Sequence, residues 1–293
     1  MVTSVQLSQA AAQTMERSGG RIRLTSRAQR NFSVQLTLLV LGALTVVAFA
    51  AMRFGDVDLV VALRQTLLDF WAMMAQPALD PPFGASHFTW STVLTSTLLT
   101  IAVSVVCTIL SALVSFFLAL AAAQNLSNPA ISNVVKGFVA IIRAVPTILW
   151  VLVFTVAIGL GSEAAVLGIS FHSIAYLVKS YSESFEEIDA DVIEALQASG
   201  ASYWQVVFQA VCPATITKLL SWTFIRFEIN FTNAVAVGAF AGAGGIGYQL
   251  FQAGTRYYNL HEVGVIVYVC LAIAFVLELV SVRLRQRYIL NAR

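Results

Sequence analysis

From residue 81 to residue 135 the chain contains no Asp, Glu, Lys or Arg. About 20 apolar helical residues cross the roughly 30 Å of hydrocarbon in a bilayer, so this run is long enough for one span with flanks on either side. In that solvent the backbone must satisfy its own hydrogen bonds, which selects helices. Further low-charge stretches occur at 31–52, bracketed by Arg30 and Arg53, and at 137–160, 163–179, 216–240 and 263–282. Apolar residues make up 58% and charged residues 11% of the whole, against roughly 45–50% and 25% in soluble domains. The expectation is an all-α integral membrane protein with about six transmembrane helices.

Orientation follows from the basic residues. Arg17, Arg21, Arg23, Arg27 and Arg30 precede the first stretch, and Arg283, Arg285, Arg287 and Arg293 follow the last. The excess of Lys and Arg on cytoplasmic flanks puts both termini in the cytoplasm and requires an even number of spans. The expected organisation is a partly disordered cytoplasmic tail at 1–30, with disorder up to about Arg23, then a first span and external segment at 31–90. A membrane core at 91–282 carries a cytoplasmic loop at 181–213, and a basic tail closes the chain at 283–293. The polar first thirty residues do not have the form of a cleavable signal peptide. A net charge of +2 gives no support for nucleic-acid binding, and the basic ends are accounted for by topology.

The loop reads EALQASGASYWQVVFQAVCP over 194–213. Residues 186–198 are rich in helix formers, with Ile188, Val192, Ala195 and Leu196 at helical spacing. Gly200 stands where a helix end needs the left-handed conformation. Ser202, with Gln205 three places on, forms a capping-box pattern that opens a second helix. Pro213 either ends that helix or stands early in the next. The segment therefore reads as a self-capped docking element.

Several chemistries lack their residues. Lys136, Lys179 and Lys218 do not follow a Gly, so no phosphate-cradling P-loop is present. His87, His172 and His261 form no HExxH pair, no GxSxG elbow marks a nucleophile, and Cys107, Cys212 and Cys270 have no metal-ligand spacing. Buried inert thiols are expected, with neither a catalytic nor a metal site. GAGGIG matches GxGxxG literally but follows a membrane segment, where a dinucleotide site needs a soluble βαβ unit. Gly238, Gly242, Gly244, Gly245 and Gly247 are better read as packing glycines that also permit a break in the helix.

Charges within the apolar stretches are the remaining candidates. Arg143 stands in IIRAVP, and Arg226, Glu228, Asn230 and Thr232 stand in RFEINFTN. A charge at mid-membrane costs roughly 2.5–3.5 kcal/mol on insertion scales and must be paired or face water. Arg226 and Asn230, four apart, share a helical face, whereas Glu228 points to another helix or another subunit. One reading makes these charges an interhelical network holding the bundle. The other makes Arg143, Arg226, Glu228, Asn230 and Thr232 a polar translocation pathway attractive to anions. Snorkelling to the cytoplasmic surface is the simpler account of Arg143.

The loop resembles the EAA loop of ABC-importer permeases, with Glu194, Ala195, Gly200, Ala201, Ser202 and Pro213 in place, and Ala210 and Cys212 where that loop usually carries Ile and Leu. Together with IIRAVPTILWVLVFTVAIGLG and RFEINFTNAVAVGAFAGAGGIG, the chain is similar to the phosphonate and phosphate (PhnE-type) permeases over about 92–287. Thr232 departs from the Arg usual in that family. The resemblance implies a type I importer fold in a multi-pass protein of the bacterial inner membrane, working as a homodimer in the lipid bilayer. It also implies a cytoplasmic ABC ATPase dimer, carrying ATP and Mg on that partner with no cofactor on this chain, and an extracytoplasmic binding protein delivering phosphonate, phosphate or a related oxyanion. A methionine- or betaine-type permease and a non-transporting membrane scaffold are the alternatives.

Overall fold

The computed structural model of the chain describes residues 15–18, 21–24, 28–51, 58–79 and 87–289. It divides into two compact units, up to Gln65 and from Thr66 onward. In the first, β1 (Met15–Ser18) pairs antiparallel with β2 (Arg21–Leu24), Met15 opposite Leu24 and Ser18 opposite Arg21. The sequence reading expects disorder here. Arg-Ile-Arg-Leu alternates with the strand period. Residues 1–14 of the expected tail, 52–57 and 80–86 of the expected external segment, and 290–293 of the basic tail lie outside the described residues. Helix α1 (Ala28–Ala51) occupies the first expected span, and its side chains from Val34 to Ala51 are all exposed within the chain.

The segment expected to be external contains a helix that the sequence reading did not identify, α2 (Leu59–Ala75). The Asp58 carboxylate opens it by accepting from the Val60 and Val61 amides at 3.0 and 3.2 Å. Its 17 residues stand at the lower limit for a span and include Arg64 and Asp69.

In the second unit follow α3 (Trp90–Ala122), α4 (Pro129–Ala144), α5 (Thr147–Ile158), α6 (Ser162–Glu186) and α7 (Ala190–Ala198). After them come α8 (Tyr203–Phe240), α9 (Gly245–Arg256) and α10 (Leu260–Ile289). Helices α3 and α6 meet through small donors: Cys107 Sγ to the Val166 carbonyl at 3.7 Å, Ser111 Oγ to Ser170 at 3.2 Å, and Ser115 Oγ to Ile174 at 3.0 Å. Each donor precedes its acceptor by 59 residues, and a constant offset means that the two helices run parallel. Small residues at such an interface let membrane helices approach closely and supply hydrogen bonds where water does not.

Since α3 and α6 are parallel, α4 and α5 together carry the chain back. The sequence reading runs one span through 137–160; the structure breaks it between α4 and α5, whose axes differ by 91°. Pro146 disfavours a helical residue before it, and Val145 is extended (φ −96°, ψ 127°). The Ile142 carbonyl at the break accepts from the Val145 amide at 3.3 Å and from the Trp150 indole at 3.0 Å.

Among the described residues, three helices (α1, α3 and α10) are long and apolar enough to cross a membrane alone, and two bent pairs add up to two more. Helix α6, where a further span is expected, is a special case. Its serines and charges make it too polar by composition, yet its 25 residues extend about 37 Å, and its polar side chains are largely turned inward. At one end of the bundle the chain after α3 meets the end of α6, with Gln124 N donating to Glu186 Oε1 at 2.8 Å and Asn125 Nδ2 to the Phe185 carbonyl at 2.8 Å. At the other end the Gly161 amide donates to the Ala241 carbonyl at 2.9 Å. There too the buried Glu262 carboxylate accepts from the His87 amide at 2.6 Å, beside the His87 ring stacked on Tyr257.

Helix α8 contains a π-helical turn, Val207–Val211, with the Cys212 amide bonded to the Val207 carbonyl. Pro213 therefore does not end the helix. Its ring would crowd the Gln209 carbonyl in a regular helix, and the wider turn relieves that clash without a break.

Candidate functional site

The loop expected at 181–213 is built in three local steps. Helix α6 stops at Glu186, and Asp189 restarts the chain as N-cap of α7, its carboxylate accepting from the Asp191 amide at 3.2 Å. The continuous helix read at 186–198 is thus interrupted, because Asp at this position binds the backbone better as a cap than as an interior residue. At the far end of α7, Ala201 N donates to Leu196 O at 3.1 Å and Gly200 N to Gln197 O at 2.9 Å, with Gly200 at φ +86°. This pair of bonds is a Schellman motif, which places its C′ residue in the left-handed region. Ser202 and Gln205 then form the capping box that starts α8, the Gln205 Oε1 accepting from the Ser202 amide at 2.7 Å.

Ile193 anchors α7, buried among Phe185, Val206, Val207 and Val211. Ion pairs hold the base: Lys136 Nζ to Glu186 Oε1 at 2.6 Å, and Lys218 to Glu187. Glu194, Ala195, Gly200, Ser202 and Pro213 remain exposed, and Ala201 is half-buried. Beside them lies an aromatic patch that the sequence reading did not single out. Tyr203, Trp204 and Phe208 are exposed, with the Trp204 ring against the other two at centroid distances of 5.4 and 5.9 Å. The signal for it was aromatics at i, i+1 and i+5 beside a cap. The result is a rigid, exposed knob fastened to the ends of α6 and α8.

The charged candidates do not gather at one place. Arg226 is 2% exposed and lies between α3, α6 and α8. Its Nε donates to Ser173 Oγ at 2.9 Å; Ser173 Oγ lies 2.7 Å from Asn230 Oδ1; and Asn230 Nδ2 donates to Thr108 Oγ1 at 2.9 Å. The guanidinium also sits 5.1 Å from the Tyr176 ring centre. Nη2 has no hydrogen-bond partner among the described residues, and the charge is met by the Ser173 hydroxyl and an aromatic face, with no carboxylate bonded to it. Ser173 and Thr108, which complete this chain of bonds, were not foreseen, since serines and threonines abound in the spans and only packing distinguishes these two.

Glu228 and Thr232 lie elsewhere on α8, lining a cavity of about 190 Å³ with Ala274, Leu277 and Glu278 of α10. Arg143, exposed at the end of α4, lines a third place, between α4 and α6.

The glycine run forms the break between α8 and α9, whose axes differ by 46°. Gly242, Gly244 and Gly245 all have positive φ, a conformation that side chains with a Cβ resist. The turn aims the Ile246 amide at Thr100 Oγ1, 2.9 Å away on α3. Gly247 and Gly238 serve close approach: a Cβ on the first would strike the Val235 carbonyl, and on the second would come 2.8 Å from the Gly244 carbonyl.

Residues 115–290 match the family described as binding-protein-dependent transport system inner membrane component. The phosphate-import permease protein PhnE of Mycolicibacterium smegmatis is 32% identical over 191 residues, 65% of this chain and 36% of that protein. The phosphite transport system permease protein PtxC of Stutzerimonas stutzeri is 30% identical over 218 residues, 74% of this chain and 77% of that one. The chain thus spans about a third of the mycobacterial relative and three quarters of the other. An inward-facing structure of the MetNI methionine ABC transporter superposes with a TM-score of 0.61 at 19% identity, covering 68% of this chain and 96% of that one. At that identity the likeness shows the fold alone, the type I ABC importer permease fold. An exposed self-capped knob on a helical membrane bundle, with this family match over most of the bundle, leads to one conclusion: the chain belongs to the binding-protein-dependent transport system inner membrane component family.

Proposed function

We propose that the chain is the membrane-spanning subunit of an ATP-driven importer for a phosphorus oxyanion such as phosphonate, phosphate or phosphite, and that the α7 knob couples it to a separate ATPase dimer. The observation that carries this reading is the knob itself. It is stiffened by caps at both ends, and its one buried side chain, Ile193, meets α6 and α8 together. A push on α7 from the exposed side is therefore delivered to two membrane helices at once. The phosphate-import and phosphite-transport permeases among its relatives support the solute class.

In this reading ATP and Mg stay on the partner, and closure of the ATPase dimer displaces α7. Two copies of the bundle enclose the pathway, and an extracytoplasmic binding protein delivers the solute at the end opposite the knob. The polar chain through Arg226 holds α3, α6 and α8 as one body, so that they move together. Its burial inside one protomer favours this structural role over contact with the solute. The break at Gly244 and Gly245 folds α9 back against α8, where Gly238 and Gly247 allow close packing.

The test is reconstitution of the chain with candidate ATPase and binding proteins. ATP hydrolysis and uptake are then measured with phosphonate, phosphate, phosphite and methionine. Stimulation by the phosphorus oxyanions alone is expected. Stimulation by methionine alone would replace the solute class, and failure to associate with any ATPase would favour the scaffold.

A further inference from the structure

Helices α4 and α6 leave a cavity of about 220 Å³ between them near the knob end of the bundle. Its floor is apolar, with Val139 and Val178 buried. Its charged lining is uneven: Lys136, Arg143 and Lys179 against Glu183 and Glu186. Lys136 is paired with Glu186 at 2.6 Å and Lys179 with Glu183 at 3.4 Å, which uses both carboxylates. Arg143 is left without an ion-pair partner among the described residues.

The geometry orders these charges. Arg143 follows Lys136 by seven residues, two turns along the same face of α4 and about 10 Å further into the bundle. Lys179 precedes Glu186 by the same seven residues on antiparallel α6. Because Lys136 meets Glu186, Arg143 stands level with Lys179. Two cations thus share one depth below the knob, with an apolar floor between the helices and a single uncompensated charge. A guanidinium offers a planar fork of donors suited to phosphate oxygens, and basic pockets between membrane helices bind phosphate headgroups.

We propose that this cavity is a binding site for a phosphate-type oxyanion, held chiefly by Arg143 with Lys179 beside it. Two sources carry that chemistry: the phosphodiester of an anionic phospholipid in the adjoining leaflet, and free phosphate in water at the knob end. The site goes beyond the transport reading, since it does not depend on which solute crosses. An anion beside Lys179 competes there with the Glu183 carboxylate that pairs with it.

The experiment uses the full chain in nanodiscs and reads binding, so that it does not depend on transport. One arm measures equilibrium binding of radiolabelled inorganic phosphate in phosphatidylcholine discs. The other measures retention of phosphatidylglycerol from mixed discs by native mass spectrometry. Arg143→Gln is expected to weaken binding roughly tenfold or more, the scale of one lost charge-assisted hydrogen bond. Arg256→Gln, an exposed Arg on α9 outside the cavity, should leave binding as in the wild type. Thermal unfolding confirms that each variant is folded, a modest demand for an exposed Arg.

Phosphate binding that Arg143→Gln removes supports a site filled from water. Phosphatidylglycerol retention that it removes supports a site filled from the bilayer. If the wild type holds neither probe, or Arg143→Gln holds both as well as the wild type does, the proposal is overturned.

Discussion

The α7 knob and the polar chain through Arg226 are both hydrogen-bonded devices on the same two helices, α6 and α8, yet they are built in opposite ways. In the knob the bonds span two to five residues: Asp191 to Asp189, Ala201 to Leu196, Ser202 to Gln205. In the polar chain the spacing is 53, 57 and 122 residues. The knob is exposed to water, which can replace a lost bond, while the polar chain is buried, so that a lost partner leaves an orphan. The first is suited to rigid docking, and the second to locking helices together.

The largest effect on function is expected at the knob. Gly200→Pro imposes a negative φ on a residue held at +86° and removes the amide that binds Gln197. Uptake in the reconstituted assembly should fall by about tenfold or more, as a misplaced coupling element costs on the scale of catalytic misalignment. ATP hydrolysis should continue, and the melting temperature should stay near that of the wild type. Wild-type coupling in this variant would remove the knob from the mechanism.

The largest effect on stability is expected in the polar chain. Asn230→Ala strips Ser173 and Thr108 of a shared partner, at a cost of about 1–3 kcal/mol, or nearer 0.6–1.7 kcal/mol if membrane hydrogen bonds set the scale. Thermal or denaturant unfolding in a mild detergent measures it. An unchanged melting temperature would mean that these bonds do not hold the bundle.

The smallest effect tests the contrast itself. Ser202→Ala removes one side of the capping box and should cost about 0.5–2 kcal/mol locally. It should appear as faster amide hydrogen exchange in α7 and the first turn of α8, with little change in global unfolding. Combined with Asn230→Ala, the two losses should add, because the sites share no partner. A strong interaction between them would show that the knob and the bundle core already form one cooperative unit.

The same division explains which parts of the fold were legible. Gly200, Ser202 and Gln205 were read at their structural positions because their partners lie within five residues. The broken helix at Gly244 and Gly245 was foreseen for a similar reason. Pro146 could have been read in the same way, from its effect on Val145, but the apolar run through 137–160 outweighed it. Helix α6 shows the limit of composition: its serines look like a weak span until the parallel ladder from Cys107, Ser111 and Ser115 shows what its carbonyls meet. Arg226 and Asn230 were placed on one face by helical spacing, but the 2% exposure of Arg226 could not be read from spacing.

By itself the sequence determined the solvent, the helical class and the knob. Hydrocarbon excludes charge over a whole span, and caps act between neighbours, so both leave their mark in consecutive residues. Only the tertiary structure decided that α3 and α6 run parallel, that Arg226 is locked inside a three-helix core, and that Glu228 faces α10. It alone set Arg143 above an apolar cavity beside Lys179. Those outcomes depend on side chains more than thirty positions apart meeting at hydrogen-bond or van der Waals distance, and such meetings are chosen by packing, which no local pattern records.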